Sequence, residues 1–346
     1  MTATLAAAPP LRIGGLELSS PILIAPMVGI TDAPFRSLAR EMGAGLVSTE
    51  MVASEGVVRR IDASLRLLDF PAGTEPVAAQ LVGADAAAMA EAARICTERG
   101  AMVVDVNLGC PVRKVVGCGA GAALARDTAQ TARVLAAMVQ AVDVPVTAKM
   151  RLGWDHDSIN APELARALED VGVQAVTVHG RTRCQQYTGS ADWDEIARVK
   201  EAVSIPVLGS GDVRDVAEMR ERICSGRVDG VVIARGALGN LWLIRQAAHH
   251  VATGAHLPDL DFPARMALTR RHLELLCAYH GEARALRIGR KYVSWSIRGC
   301  NGAPRLRAMV QQLNSRADLD RIFDLAVGAG QGPQGWFEPI FTSGEG

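Results

Sequence analysis

Eight short runs of apolar, largely β-branched residues recur along the first two-thirds of the chain, each closed by glycine, proline or a charged residue. They read "PILIAPM", "GLVSTE", "VAAQLV", "MVVDVNLG", "VPVTAKMRL", "AVTVHGR", "IPVLGSGD" and "GVVIARG". Most of the intervals hold Ala-rich or Leu-rich segments with helical spacing, such as "DAAAMAEAARICTERG", "TAQTARVLAAMVQAV", "APELARALEDVG" and "WDEIARVKEAV". Runs that are apolar throughout, rather than alternating, are strands covered on both faces, and strands separated by helices run parallel. Eight such units over about 235 residues predict an α/β fold, a closed (β/α)8 TIM barrel. An open doubly wound sheet is the alternative. Against it, no GxGxxG follows the first run in the manner of a dinucleotide fold.

After "LWLIRQ" the pattern changes. The stretch "TGAHLPDLDFP" is punctuated by Gly and Pro, and helical periodicity without strand signals follows it in "ARMALTRRHLELLCAYHG", "EARALRIGRKYVSWSIRG" and "APRLRAMVQQLNS". The expected organisation of the 346 residues is a barrel over 1–250, a small all-α helical bundle over 262–330 and a tail over 331–346. With 49% hydrophobic and 21% charged residues the composition is that of a soluble globular protein, and a formal net charge of zero means that any nucleic-acid binding must come from a local patch. The seven cysteines form no CxxC pair, which argues against a zinc site or a secreted disulfide framework, so no metal is expected. The N-terminus lacks a basic leader and no apolar run approaches the ~18 residues of a membrane span. A cytoplasmic monomer is the expectation.

In a barrel of this kind chemistry sits at the C-terminal strand ends. In chain order those ends carry Pro26 and Met27, Thr49 and Glu50, Gln80, Asn107 with Cys110, Lys149 with Arg151, His179 with Arg181, Ser210 with Asp212, and Arg235. Apolar residues would be less costly there unless a polar ligand lay on that face. Gly209–Asp212 and Ala234–Gly236 put bare backbone amides after the seventh and eighth strands, the usual phosphate position, and Arg235 adds charge. Lys149, within an apolar strand, is either a Schiff-base nucleophile or a fixed cation beside an electron-rich ring. Gln80 and Asn107 suit planar amides that read a heterocycle edge or cap a strand end. His179 is a ligand contact or a satisfied core histidine. Cys110 is fixed at the mouth by Pro111 and stands before a glycine-rich loop. It is read as a nucleophile, an inert filler or a general acid, since a free thiol with pKa near ~8.5 carries its proton at pH 7.

Together "APMVGITDAPFR", "QLVG", "DVNLGCPVRKV", "TAKMRLGW", "HGRTRCQQYTGSADW", "GSGDV" and "ARGALGNLW" resemble the tRNA-dihydrouridine synthases, in order and spacing, across the whole barrel. The helical part resembles that family's RNA-binding bundle more loosely. The resemblance implies FMN at the barrel mouth, with Pro26, Met27 and Val28 against the flavin ring and Gln80 and Lys149 at its polar edge. It puts His179 beside the ring and Ser210, Gly211, Asp212, Ala234 and Arg235 around the phosphate. Cys110 is then the proton donor, and Asn107, Arg151 and Arg181 lie near the substrate uracil. NADPH is the implied reductant and tRNA the implied partner, with Arg287, Arg290 and Lys291 on a basic helical face suited to phosphates. Related sequences often carry Asn where Ser210 stands and Gly where Ala234 stands. Three alternatives remain: a flavin barrel of the dihydroorotate dehydrogenase kind acting on a free pyrimidine, a Schiff-base lyase using Lys149, and a non-catalytic tRNA-binding protein.

Overall fold

The computed structural model describes residues 8–330. Its eight barrel strands are β1 (Ile22–Ile24), β2 (Val47–Ser48), β3 (Val77–Val82), β4 (Val103–Leu108), β5 (Val146–Arg151), β6 (Ala175–His179), β7 (Val207–Ser210) and β8 (Gly230–Ile233). Each falls inside one of the eight apolar runs. Neighbours pair in parallel from β2 through β8, and β8 pairs with β1. The ring closes between β1 and β2 through the parallel bridge Leu23–Leu46, where Gly45 N–H donates to Ile22 O at 2.7 Å and Ile24 N–H to Leu46 O at 3.0 Å. That closure removes the open-sheet alternative.

The longer helices around the strands are α1 (Ala33–Glu41), α2 (Ala86–Glu98), α3 (Thr128–Val139), α4 (Ala161–Asp170), α5 (Trp193–Ala202), α6 (Val216–Cys224) and α7 (Trp242–Thr253). Five of them start in the same way. Asp32, Asp85, Asp127, Asp192 and Asp215 precede α1, α2, α3, α5 and α6, and each carboxylate accepts backbone N–H bonds from the first turn. Such a cap is worth about 1 kcal/mol and fixes where the loop ends. Below the strands, a hairpin of Arg12–Ile13 with Leu16–Glu17 brings Leu11, Ile13 and Leu18 into one buried cluster with Leu23, Leu46, Ala78, Val103, Ala175, Leu208 and Val232. This apolar plug leaves polar residues only in the upper rows of the barrel.

The described residues form two compact units: 8–236 with 244–256, and 237–243 with 257–330. The second unit contains α8 (Phe262–His280), α9 (Glu282–Ser296), α10 (Ala303–Gln311) and α11 (Arg316–Ala329) around Leu273, Leu276, Leu286, Val293, Leu306, Val310, Ile322 and Phe323. The first three helices match the three helical stretches read in the sequence. The fourth, α11, begins at a capping box in which Ser315 and Asp318 each accept a backbone N–H of the other. The expected tail over 331–346 lies outside the described residues.

Candidate active site

Strand register decides which side chains face the barrel interior. Gln80 pairs with Asp105 and Asp105 with Thr147, Asn107 with Lys149 and Lys149 with Thr177, Arg151 with His179 and His179 with Ser210. Residues opposite each other on neighbouring strands share a face, so these form successive rows climbing toward the mouth. The lowest row is a directed network. Thr147 Oγ1 donates to Asp105 Oδ1 at 2.7 Å and Gln80 Nε2 to Asp105 Oδ2 at 2.6 Å, while Asn107 Nδ2 donates to Gln80 Oε1 at 2.8 Å. Asn107 Oδ1 in turn accepts from the N–H of Gly109 at 3.1 Å and of Cys110 at 2.9 Å. The network therefore runs from a buried carboxylate to the backbone of the cysteine. Gln80 is 0% exposed, and both ends of its amide are bonded to protein. Asp105 was not singled out from the sequence, and burial pushes its carboxyl pKa up against the hydrogen bonds from Gln80 and Thr147 and the charge of Lys149.

Above that row stand the cations. Lys149 has no hydrogen-bond or ion-pair partner among the described residues, and burial, reinforced by Arg151 and opposed by Asp105, pulls its pKa down from 10.5 to about 8. His179 is held well below the ordinary histidine value by burial first, then by Lys149, Arg151, Arg181 and Arg235, so its imidazole is neutral at pH 7. Arg151 is committed to backbone, with Nε on Gly109 O at 2.9 Å and Nη1 on the carbonyls of Thr182 and Gln186, each at 2.9 Å. Arg181, 1% exposed, bonds Thr188 O, Gly189 O and Asp212 Oδ2, yet its Nη1 is buried without a partner. Both arginines hold the loop after β6, which also carries Tyr187. That ring, 50% exposed, has the Arg235 guanidinium 4.5 Å and the Arg151 guanidinium 5.7 Å from its centroid, with His179 at 6.2 Å. Tyr187 was missed because a lone aromatic in a polar loop carries no periodic signal.

The turns after β7 and β8 are shaped by backbone. Ser210 Oγ donates to Val232 O at 3.2 Å, tying β7 to β8. Gly211 has φ +123°, and a Cβ there would lie 2.5 Å from Ala191 Cβ and 3.1 Å from His179 Cδ2, so only glycine fits. Trp193 Nε1 donates to Gly211 O at 3.1 Å. Because carbonyl and N–H point opposite ways across a trans peptide, this aims the Asp212 N–H away from Trp193. The N–H groups of Gly211 and Asp212 have no acceptor among the described residues. The Asp212 carboxylate accepts from Arg181 at 2.7 Å and from the N–H of Ala191 at 2.8 Å, and Arg235 Nη2 lies 3.6 Å away. Burial alone would raise its pKa, but the Arg181 bond and the other donors bring it below the ordinary value. Its charge is thus used inside the protein and its backbone is the part open to an anion.

Next to these turns, since β1 pairs with β8, Pro26 and Met27 are half-buried and Val28 is 70% exposed in the turn after β1. Cys110 is half-buried and unbridged. Its N–H is held by Asn107, its carbonyl accepts from the N–H of Ala122 at 3.2 Å, and the flanking carbonyls of Gly109 and Pro111 accept from Arg151 and from Arg183 at 3.4 Å. In the second unit Arg287 is exposed on α9, whereas Arg290 donates to Leu313 O and Asn314 Oδ1 at 3.0 Å, and the Lys291 ammonium stands 5.0 Å from the Tyr292 ring centroid.

A model of dihydrouridine synthases matches residues 23–327. The chain belongs to the dihydrouridine synthase family. It is 43% identical over 309 residues to a tRNA-dihydrouridine synthase B of Pseudomonas aeruginosa, covering 89% of this chain and 92% of that one. To a probable tRNA-dihydrouridine synthase of Rickettsia bellii it is 42% identical over 305 residues, covering 88% and 94%. Among solved structures, a morphinone reductase variant in complex with tetrahydroNAD shares the barrel at TM-score 0.53 and 13% identity over 74% of this chain and 92% of that one. A histamine dehydrogenase from a Rhizobium species does so at 0.54 and 13%, over 77% and 50%. As a dihydrouridine synthase, the chain is a flavin-dependent oxidoreductase built on a TIM barrel. Among its described residues no helix is long and apolar enough to cross a membrane.

Proposed function

We propose that this dihydrouridine synthase binds FMN at the barrel mouth, takes its reducing equivalents from NADPH, and reduces the C5–C6 double bond of uridines in tRNA in the cytoplasm. The observation that carries the proposal is the fixed Cys110 backbone at the mouth of a barrel whose other wall holds unpartnered donors. The fit to a phosphorylated flavin rests on those donors: the free N–H groups of Gly211 and Asp212, the orphaned Arg181 Nη1, the partnerless Lys149 ammonium and the nearby Arg235. An anion there satisfies buried groups that otherwise lack partners. Ser210 and Ala234 do not disturb this, since none of those donors belongs to the side chain of either residue. Lys149 and the neutral His179 would lie along the polar edge and beside the ring, with Pro26, Met27 and Val28 opposite.

Bound flavin supplies the hydride that adds to C6 of the uracil. The chain supplies the proton: the Cys110 thiol donates to C5 and leaves a thiolate that solvent reprotonates. Arg151 and Arg183 hold the carbonyls on either side of that cysteine, and Asn107 holds its N–H, so the sulfur is presented by a backbone bonded on both sides. The uridine must leave its stack to reach this depth, which gives a reason for the basic face of the helical unit to bind RNA. Purified protein loaded with FMN and supplied with NADPH should add two hydrogens per modified uridine to a tRNA transcript, read by mass spectrometry of its fragments. Reduction of a free pyrimidine such as orotate with no change in tRNA would instead select the dihydroorotate dehydrogenase kind of activity.

A further inference from the structure

Three side chains on the mouth loops gather around one indole, and of them only Arg183 also holds a carbonyl next to the cysteine. Trp154 follows β5, Arg183 follows β6, and Arg126 ends the short helical turn Leu124–Arg126 before α3. The two later loops are zipped by backbone bonds, Leu152 N–H to Arg181 O at 3.2 Å, Arg183 N–H to Gly153 O at 2.9 Å and Cys184 N–H to Trp154 O at 2.8 Å. This fixes the indole and Arg183 side by side. The guanidinium carbons of Arg126 and Arg183 lie 4.6 and 4.5 Å from the indole centroid. Arg126 is exposed, and neither arginine has a carboxylate partner among the described residues. The Nε of Arg183 is buried with nothing to donate to, while its Nη2 reaches Pro111 O, one residue beyond Cys110.

We propose that Arg126, Trp154 and Arg183 form a contact for the sugar-phosphate chain of the RNA next to the uridine being reduced. Two cations held within 4.6 Å of one indole centroid repel each other, and in the absence of a carboxylate an external anion is what relieves them. RNA offers phosphates to the guanidiniums and flat bases to the guanidinium and indole planes. The link from Arg183 to Pro111 places this contact directly beside the loop that presents the thiol. The proposal rests on the tRNA-reducing function above and adds to it a phosphate-binding site within the barrel unit.

The test uses the full-length, flavin-loaded protein and a tRNA transcript lacking dihydrouridine, with equilibrium binding measured across a range of KCl. Arg126→Gln should weaken binding roughly tenfold and lower the salt slope by about one unit, as expected for one lost phosphate contact. Trp154→Ala should weaken it comparably, while Arg133→Gln, an exposed arginine hydrogen-bonded to Gln130, should change neither quantity. Wild-type affinity and slope in both Arg126→Gln and Arg126→Glu would overturn the proposal. So would weakened use of NADPH relative to NADH with tRNA binding intact, which would assign the cations to the reductant's phosphate. Turnover of the wild type on the same transcript is measured alongside. Absent turnover with Arg126-dependent binding would remove the enzymatic function and keep the contact, whereas normal turnover with Arg126-independent binding would remove the contact alone.

Discussion

Cys110 and Lys149 separate most sharply at the residue scale, because one acts on the substrate and the other on the cofactor. Cys110→Ala should leave FMN binding and its reduction by NADPH intact and slow the reoxidation of reduced flavin by tRNA by ~10² to 10⁴, the usual loss with a positioned general acid. Single-turnover stopped-flow with pre-reduced protein reads this directly, and near-normal reoxidation would make the cysteine a filler. Burial and Arg151 bring the Lys149 pKa down to about 8. Between about 8 and 10.5 the unfolded chain binds the proton more tightly than the fold does, so this lysine's contribution to stability rises with pH there. Flavin affinity should move the other way, weakening by up to about tenfold per unit above pH 8 as the positive charge is lost. The FMN phosphate, with a second pKa near ~6, is already ionised throughout that range. Fluorescence titration of FMN from pH 7 to 9 checks it: the wild type should weaken, Lys149→Met should be flat, and equal slopes would refute the assignment. The strand-end residues were legible in the sequence because polar groups interrupting apolar runs stand out. Asp105 was not, since an acid inside a strand gives no hint of which neighbours will bond it, and nothing local shows that Arg151 will turn to loop carbonyls.

Elements were legible where length and periodicity agreed, as in all eight barrel strands and the long helices. They were hidden where a two-residue pairing does the work. The hairpin at Arg12–Glu17 and the Leu23–Leu46 closure depend on residues far apart or on strands too short to show a pattern. The aspartate caps were readable in principle, each standing directly before a helix. One close strand–helix approach is also a testable one. A Cβ on Gly209 of β7 would lie 2.3 Å from Trp193 Cζ3 at the start of α5, a ring that also carries the Arg222 guanidinium at 3.9 Å and bonds Gly211 O. Gly209→Ala should therefore displace the indole, destabilise the fold by about 1–3 kcal/mol, and loosen flavin by freeing the Gly211 peptide. Thermal unfolding and flavin titration measure the two effects. Adding Trp193→Leu should recover the stability but not the flavin. An unchanged melting temperature in the single variant would show that the strand yields without strain.

The whole molecule has no net charge, so its attraction for a polyanion must be local. The sequence showed a basic face on α9, but not which members were free, because Arg290 is drawn to Leu313 and Asn314 only once α10 has packed beside it. Arg284 and Arg287 are exposed and three residues apart on one helical face. Arg284→Glu with Arg287→Glu should lower the salt slope of tRNA binding by about two units, with flavin reduction unaffected. An unchanged slope in a filter-binding series would move the RNA site off this face. The chain's division also has a consequence for how such enzymes can be cut and recombined. Residues 237–243 belong to the helical unit, where Gly239, at φ +72°, approaches Trp295 so closely that a Cβ would lie 2.6 Å from it. The chain then returns to the barrel for 244–256 before entering α8. A fragment ending at 256 thus keeps a strap whose packing surface has been deleted, and a helical unit transplanted from 257 onward arrives without it. The chain enters the helical unit twice, and a chimera that respects its joints must be cut on both sides of that strap.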